Sequence, residues 1–205
     1  EGLVGSEMCI RDSYSILSWV YMKILRLNVA GQPIEWLTWQ QAVCLFARNL
    51  VVWTLWDIVR EVRGGFCRLT GKPSVMVVPS IIACGGEKLG RPRKNNRLNN
   101  AALFARDYFT CVYCGLTHKS EHLTRDHLLP ISRGGKDCWE NVVTACRRCN
   151  QFKSNRTPDE ASMSLLREPY RPNNAEFLTL INSKSISGDQ KTFLRKQYSR
   201  AMPLH

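Results

Sequence analysis

The chain has 205 residues, of which 44% are hydrophobic, and a formal net charge of +12. This length allows one ordinary domain or two small ones, and the apolar content is sufficient for a packed core, which excludes a largely disordered chain. The charge favours a phosphate-rich partner. The nine cysteines are an odd number that suits metal-binding thiols in a reducing, cytoplasmic compartment better than a disulfide framework.

The N-terminal segment needs separate treatment. Residues 1–13 resemble the translation of a sequencing adapter, so they are predicted to be non-native and to contribute nothing to the fold. Two apolar stretches follow, and both are interrupted by polar or charged residues: the first contains Lys23 and Arg26, and the second contains Arg48 and Asp57. Neither is typical of a membrane-spanning helix. No membrane partner is therefore predicted.

Residues 14–89 are predicted to form a small α+β domain. The apolar run at residues 22–29 indicates a buried strand. Thr38 and Gln41 have the spacing of a capping box, followed by apolar residues at helical spacing, which predicts a helix. Further strands are predicted at residues 51–55 and 74–82.

A change of composition follows this domain. Residues 90–100 are basic and poor in apolar residues, and they are predicted to be either a phosphate-gripping arm or a solvated connector. Helical patterning resumes at residues 101–108 and begins a second domain, predicted to span residues 101–168. Thr157, Pro158 and Glu160 have the pattern of another helix start. Residues 169–205 are predicted to be a partly helical tail.

Two Cys-x-x-Cys pairs lie in the second domain. Cys111 with Cys114 and Cys146 with Cys149 provide four thiolates, which satisfy tetrahedral zinc completely and leave no open position for a reacting water. The spacing therefore predicts a structural zinc site. The interval between the pairs is longer than in an ordinary zinc ribbon, so the residues between them are predicted to form a structural unit of their own.

The intervening residues contain a recognisable pattern. Asp126-His127, Gly134-Gly135, Asn141-Val142 and Asn150-x-x-Lys153 accompany the two cysteine pairs. This arrangement resembles the zinc-stapled, four-cysteine branch of the HNH endonuclease family over residues 101–160. The resemblance implies an α+β protein in which an N-terminal α+β unit precedes a ββα-metal domain and C-terminal helices.

The residue chemistry is consistent with phosphodiester hydrolysis. An imidazole is suited to deprotonate water at neutral pH, so His127 is the candidate general base. The carboxylate of Asp126 is suited to hold Mg²⁺ or Mn²⁺. Neighbouring residues on a regular strand face opposite sides, so the joint action of this pair requires a twist or a strand end.

The resemblance implies further roles. Asn150 would be the second ligand of a single divalent cation, and Asn141 would complete the catalytic set with Asp126 and His127 by holding the ring and its loop. Four basic residues around the second cysteine pair are predicted to contact phosphates: Arg147, Arg148, Lys153 and Arg156.

These observations predict a metal-dependent endonuclease that acts on DNA, with double-stranded DNA as the expected partner. Residues 91–156 contain 13 Lys and Arg against 5 Asp and Glu, which supports a nucleic-acid substrate. One alternative is a non-catalytic zinc-ribbon module that only binds nucleic acid. Another is an interaction domain in which zinc only stabilises the fold. The sequence indicates neither cleavage specificity nor oligomeric state.

Overall fold

A computed structural model of the chain describes residues 23–86, 96–183 and 185–199. The chain divides into two compact units: one comprises Glu1–Arg93 and Lys184–Lys196, and the other comprises Lys94–Ser183 and Gln197–His205. Within the described ranges, no helix combines the length and the apolar character needed to cross a bilayer. The segment predicted to be non-native and residues 90–95 of the predicted linker lie outside the described residues.

The first unit is built on a four-stranded sheet with the order β2-β1-β4-β3. Strand β1 pairs antiparallel with β2 and parallel with β4, and β3 pairs antiparallel with β4. The strands predicted from the sequence are all present, and the last two are longer than predicted. The strands are β1 (Ile24–Asn28), β2 (Pro33–Leu37), β3 (Val51–Phe66) and β4 (Pro73–Cys84).

Helix α1 (Trp39–Ala47) packs against this sheet. Its predicted capping box is confirmed, because the Thr38 side chain accepts from the backbone of Gln41 and the Gln41 side chain accepts from the backbone of Thr38. The cap satisfies backbone groups that the first helical turn leaves open. Apolar residues of the helix and of strands β1, β2 and β4 form the core: Ile24, Leu37, Ala42, Leu45, Val78, Ile82 and Cys84.

The C-terminal part of the chain contributes to the same unit. Helix α5 (Gly188–Arg195) places Gln190 in a fully buried position. The amide of Gln190 donates to the backbone carbonyls of Lys23 and Ser80, both at 2.8 Å. The predicted tail is thus divided between the two units, because helix α4 (Asn174–Asn182) lies in the second one.

The second unit contains a ββα arrangement. Strands β5 (Leu123–His127) and β6 (Val142–Cys146) form an antiparallel hairpin, and helix α3 (Arg147–Lys153) follows β6 directly. Helix α2 (Asn100–Arg106) begins close to the predicted position and packs on the hairpin. The predicted α+β class is therefore confirmed. The core consists of Ala102, Leu103, Phe104, Leu123, Trp139 and Val142.

A buried arginine connects several segments of this unit by hydrogen bonds. Arg106 pairs with Asp107 at 2.8 Å and donates to the carbonyls of Trp139, Tyr170 and Val142. Its guanidinium also lies 5.6 Å from the ring centroids of Trp139 and Tyr170. A buried charge needs such complete pairing.

The helix predicted after Thr157 is not formed. Thr157 and Glu160 do make the reciprocal hydrogen bonds of a capping box. The segment nevertheless closes only a turn, because Ser162 has a positive φ of 53°, which interrupts helical backbone geometry. Glu160 instead pairs with Arg133, and the backbone of Leu166 bonds to Val112.

Candidate functional site

The four predicted cysteines converge. The Sγ atoms of Cys111, Cys114, Cys146 and Cys149 all lie within 4.8 Å of one another. The first pair lies in a knuckle in which Gly115 has φ 74° and donates its backbone N–H to the Cys111 carbonyl. The second pair spans the junction of β6 and α3, where Cys146 is also the helix N-cap.

The donor set fits zinc. Burial, followed by hydrogen bonding with Cys146 and the charge of Cys111, raises the pKa of the Cys149 thiol well above its usual value. Four crowded thiols cannot all ionise without a cation, whereas Zn²⁺ takes four thiolates tetrahedrally. The cluster is therefore compatible with the predicted structural zinc, whose ligands would be these four residues.

Asp126 is buried between two donors. It is 4% exposed, and its Oδ1 accepts from Lys153 Nζ at 2.9 Å while its Oδ2 accepts from the Tyr113 hydroxyl. Burial, together with the Asp126 carboxylate, raises the pKa of Tyr113, so this hydroxyl stays a donor. The charge of Asp126 is thus balanced inside the protein by an ammonium group.

His127 lies on the opposite face of the same strand. Its Nε2 is 2.9 Å from Asp137 Oδ1, and Arg125 Nη1 donates to both oxygens of Asp137 at 2.8 and 2.7 Å. Although burial opposes the effect, the hydrogen bonds from Arg125 and His127 lower the pKa of Asp137. Because the ionised carboxylate can only accept, Nε2 is the donor of this hydrogen bond, and in the neutral ring Nδ1 carries the free lone pair.

Asn141 holds the loop after β5. Its Oδ1 accepts from the Leu129 backbone N–H, and its Nδ2 donates to the carbonyls of Leu129 and Lys136 at 3.0 and 2.9 Å. The loop carries the Gly134-Gly135 turn and ends near Asp137. Asn141 therefore contacts the loop backbone rather than the His127 ring.

Asn150 and Lys153 share the face of α3 that packs on β5. Asn150 Nδ2 donates to the Thr124 hydroxyl at 2.9 Å. Lys153 is only 1% exposed and also donates to the His127 carbonyl at 2.8 Å. The predicted phosphate contact of Lys153 is not supported by this position, because its ammonium is directed into the protein. Arg147, Arg148 and Arg156 are exposed.

The residues do not fit the implied Mg²⁺ or Mn²⁺ in this arrangement. The hairpin register is regular from Leu123 to His127, so Asp126 and His127 face opposite sides and the expected twist is absent. A carboxylate that is already paired with a buried ammonium gains little from another cation. Among the described residues, the cysteines alone form a group of three or more His, Cys, Asp or Glu side chains that converges on one point.

The hairpin, helix α3 and the cysteine cluster together define a ββα domain held by four thiols. Residues 111–166 match the family model described as HNH endonuclease, which covers 56 of the 205 residues. The predicted resemblance to that family is confirmed for this segment. No curated protein matches the chain. The family indicates a nuclease-type domain with nucleic acid as its class of partner.

Two contacts of this site were not predicted from the sequence. Tyr113 lies between the first two cysteines, and Asp137 follows the Gly-Gly turn, so neither occupies a recognisable motif position. Only the fold brings them to Asp126 and His127. One local signal pointed to Asp137. It is an acidic residue between the Gly134-Gly135 turn and strand β6.

Replacing Lys153 with methionine should destabilise the second unit by about 3–5 kcal/mol, because the Asp126 carboxylate would stay buried without its cation. Urea unfolding of the variant measures this loss. Adding Asp126→Asn to Lys153→Met should recover much of it, since the uncompensated charge is then removed. Equal stability of wild type and Lys153→Met would contradict the buried ion pair.

Proposed function

We propose that residues 111–166 are the catalytic unit of an endonuclease that hydrolyses phosphodiester bonds in double-stranded DNA. The observation that carries the proposal is the hydrogen bond between His127 Nε2 and Asp137 within the segment that matches the HNH family. A carboxylate that accepts from one ring nitrogen fixes the tautomer and orients the other nitrogen toward its substrate. His127 is the general base in this proposal.

The chain's own residues supply three functions in this mechanism. His127 Nδ1 takes the proton of the attacking water, and Asp137 holds the ring and stabilises the imidazolium that forms. Asn141 keeps the loop that carries Asp137 in place through three hydrogen bonds. Arg147, Arg148 and Arg156 are proposed to position the phosphate backbone, since each is an exposed cation near the hairpin.

Only the resemblance to the HNH family suggests that a catalytic divalent cation is bound. In that resemblance, Asp126 and Asn150 are the expected ligands of Mg²⁺ or Mn²⁺, an ion that neutralises charge on the phosphate when it is bound. Because Lys153 forms an ion pair with Asp126, no step of the proposed hydrolysis depends on the cation. The protein is proposed to act in a reducing compartment, where free thiols such as the eight in the described residues persist.

A plasmid assay tests the proposed function. Supercoiled DNA is incubated with zinc-loaded protein after brief EDTA treatment and then with Mg²⁺ or Mn²⁺, while zinc content is monitored to show that the cluster stays intact. Nicked or linear products support an endonuclease. Dependence on the added ion would show that cleavage needs a divalent cation, and independence would show that the chain's own residues suffice.

The alternative function is a non-catalytic nucleic-acid-binding module. The internal neutralisation of Asp126 and the closed four-cysteine cluster favour it, since neither leaves an open metal position. DNA binding without cleavage under every metal condition would establish this alternative and overturn the proposed endonuclease.

A further inference from the structure

A groove lies beside the cysteine cluster, away from the Asp126 carboxylate. Its volume is about 760 Å³, which is within the range of small-ligand sites. Helix α3, the cysteine knuckle and the turn before β5 provide its walls. The lining residues are Cys114, Leu116, His118, His122, Cys146, Arg147, Arg148, Cys149 and Phe152.

Two large apolar side chains of the groove are unusually exposed. Leu116 is 61% exposed and Phe152 is 62% exposed. The guanidinium of Arg156 lies 5.4 Å from the centroid of the Phe152 ring, and the ring also lines the groove. An exposed aromatic ring beside cations is the usual platform for stacking an unpaired base.

The charged side chains that line the groove fit a ligand with a phosphate. Its lining contains two arginines and no carboxylate. Arg148 lies four residues before Phe152 on α3, so the cation and the ring share a helix face. The zinc-loaded cluster would carry a net charge of about −2, which the arginines offset at the groove floor. A phosphate of the ligand would therefore contact these arginines, which also keep the negative charge of the cluster from repelling it.

We infer that this groove binds an unpaired nucleotide, with the base stacked on Phe152 and the phosphate at Arg148. The inference rests on the nucleic-acid substrate of the proposed function and extends it to DNA that contains an unpaired base. Leu123 and Cys146 form the end of the hairpin that is near the groove. His127 lies at the other end, four residues along β5, which is roughly 13 Å at the usual rise per strand residue. The groove and the general base would therefore contact different positions of one strand.

Binding by His127→Ala protein tests this inference without cleavage. Fluorescence anisotropy is measured with a labelled single-stranded oligonucleotide and with a blunt duplex of the same sequence. Phe152→Ala should weaken single-strand binding by about 5- to 150-fold and change duplex binding little, while Phe152→Trp should retain it. Arg148→Ala should weaken binding to both probes and lower the salt dependence.

Arg171→Ala is the matched control, because Arg171 is an exposed arginine of the same unit that does not line the groove. Zinc content and urea unfolding verify that each variant is folded. Unchanged single-strand affinity of Phe152→Ala overturns the inference, whether or not wild type cleaves DNA. Groove-dependent binding by a wild type that never cleaves DNA would sustain the inference and refute the proposed endonuclease.

Discussion

Replacing His127 with alanine should lower the rate of DNA cleavage by about 10²- to 10⁴-fold, the usual contribution of a general base. The imidazole is the group that Asp137 orients, and among the described residues no other histidine contacts that carboxylate. Binding should persist, because the exposed arginines near the hairpin are unchanged. Single-turnover cleavage measured beside anisotropy separates the two effects.

Asp137→Asn provides the companion variant for this test. The amide can still accept from Nε2 but lacks the charge that stabilises an imidazolium, so cleavage should fall less than in His127→Ala. The ¹⁵N shifts of the ring should report the Nε2–H tautomer in wild type. Cleavage by His127→Ala at the wild-type rate would contradict the role of His127 as general base, even if the domain is a nuclease.

Replacing a cysteine of the cluster should have the largest effect on stability. Structural zinc sites contribute on the order of 10–16 kcal/mol to folding in small domains, and the four thiols join the knuckle to the junction of β6 and α3. Cys146→Ser should therefore lose zinc and the protection of the hairpin amides against hydrogen exchange. Metal analysis and hydrogen exchange of residues 111–166 measure both losses.

Cys138→Ser is the control for this variant. Cys138 lies in the same unit but outside the cluster, so its loss should leave zinc content and amide protection at the wild-type level. A folded Cys146→Ser protein without zinc would contradict a structural role for the cluster and would show that the apolar core is sufficient.

The sequence predicted the features that depend on local spacing. The convergence of the two cysteine pairs could be predicted because Cys-x-x-Cys pairs commonly bind one metal ion together. The Thr38 capping box could be predicted because both of its partners lie within one helical turn. The hairpin and α3 followed from the family pattern. These predictions needed no knowledge of distant contacts.

The charge arrangement around Asp126 depends on distant contacts and was not predicted. Lys153 follows the motif that suggested a phosphate contact, but burial of α3 on β5 brings its ammonium to Asp126. A sequence pattern indicates which face a helical residue occupies, and it does not indicate whether that face meets solvent or a strand. A different reason applies to Asp126 and His127: the sequence did not indicate that β5 stays regular up to His127, and a regular strand places adjacent side chains on opposite faces.

Completion of the N-terminal unit has a consequence for synthesis of the chain. The amide of Gln190 satisfies the carbonyls of Lys23 and Ser80, so segments far apart in the sequence meet in one core. During translation, the hydrogen bonds of this unit stay incomplete until Gln190 has been synthesised, 110 residues after Ser80. Residues 111–166 lie between Ser80 and Gln190 in the sequence, and we expect this segment to complete its fold before the first unit does.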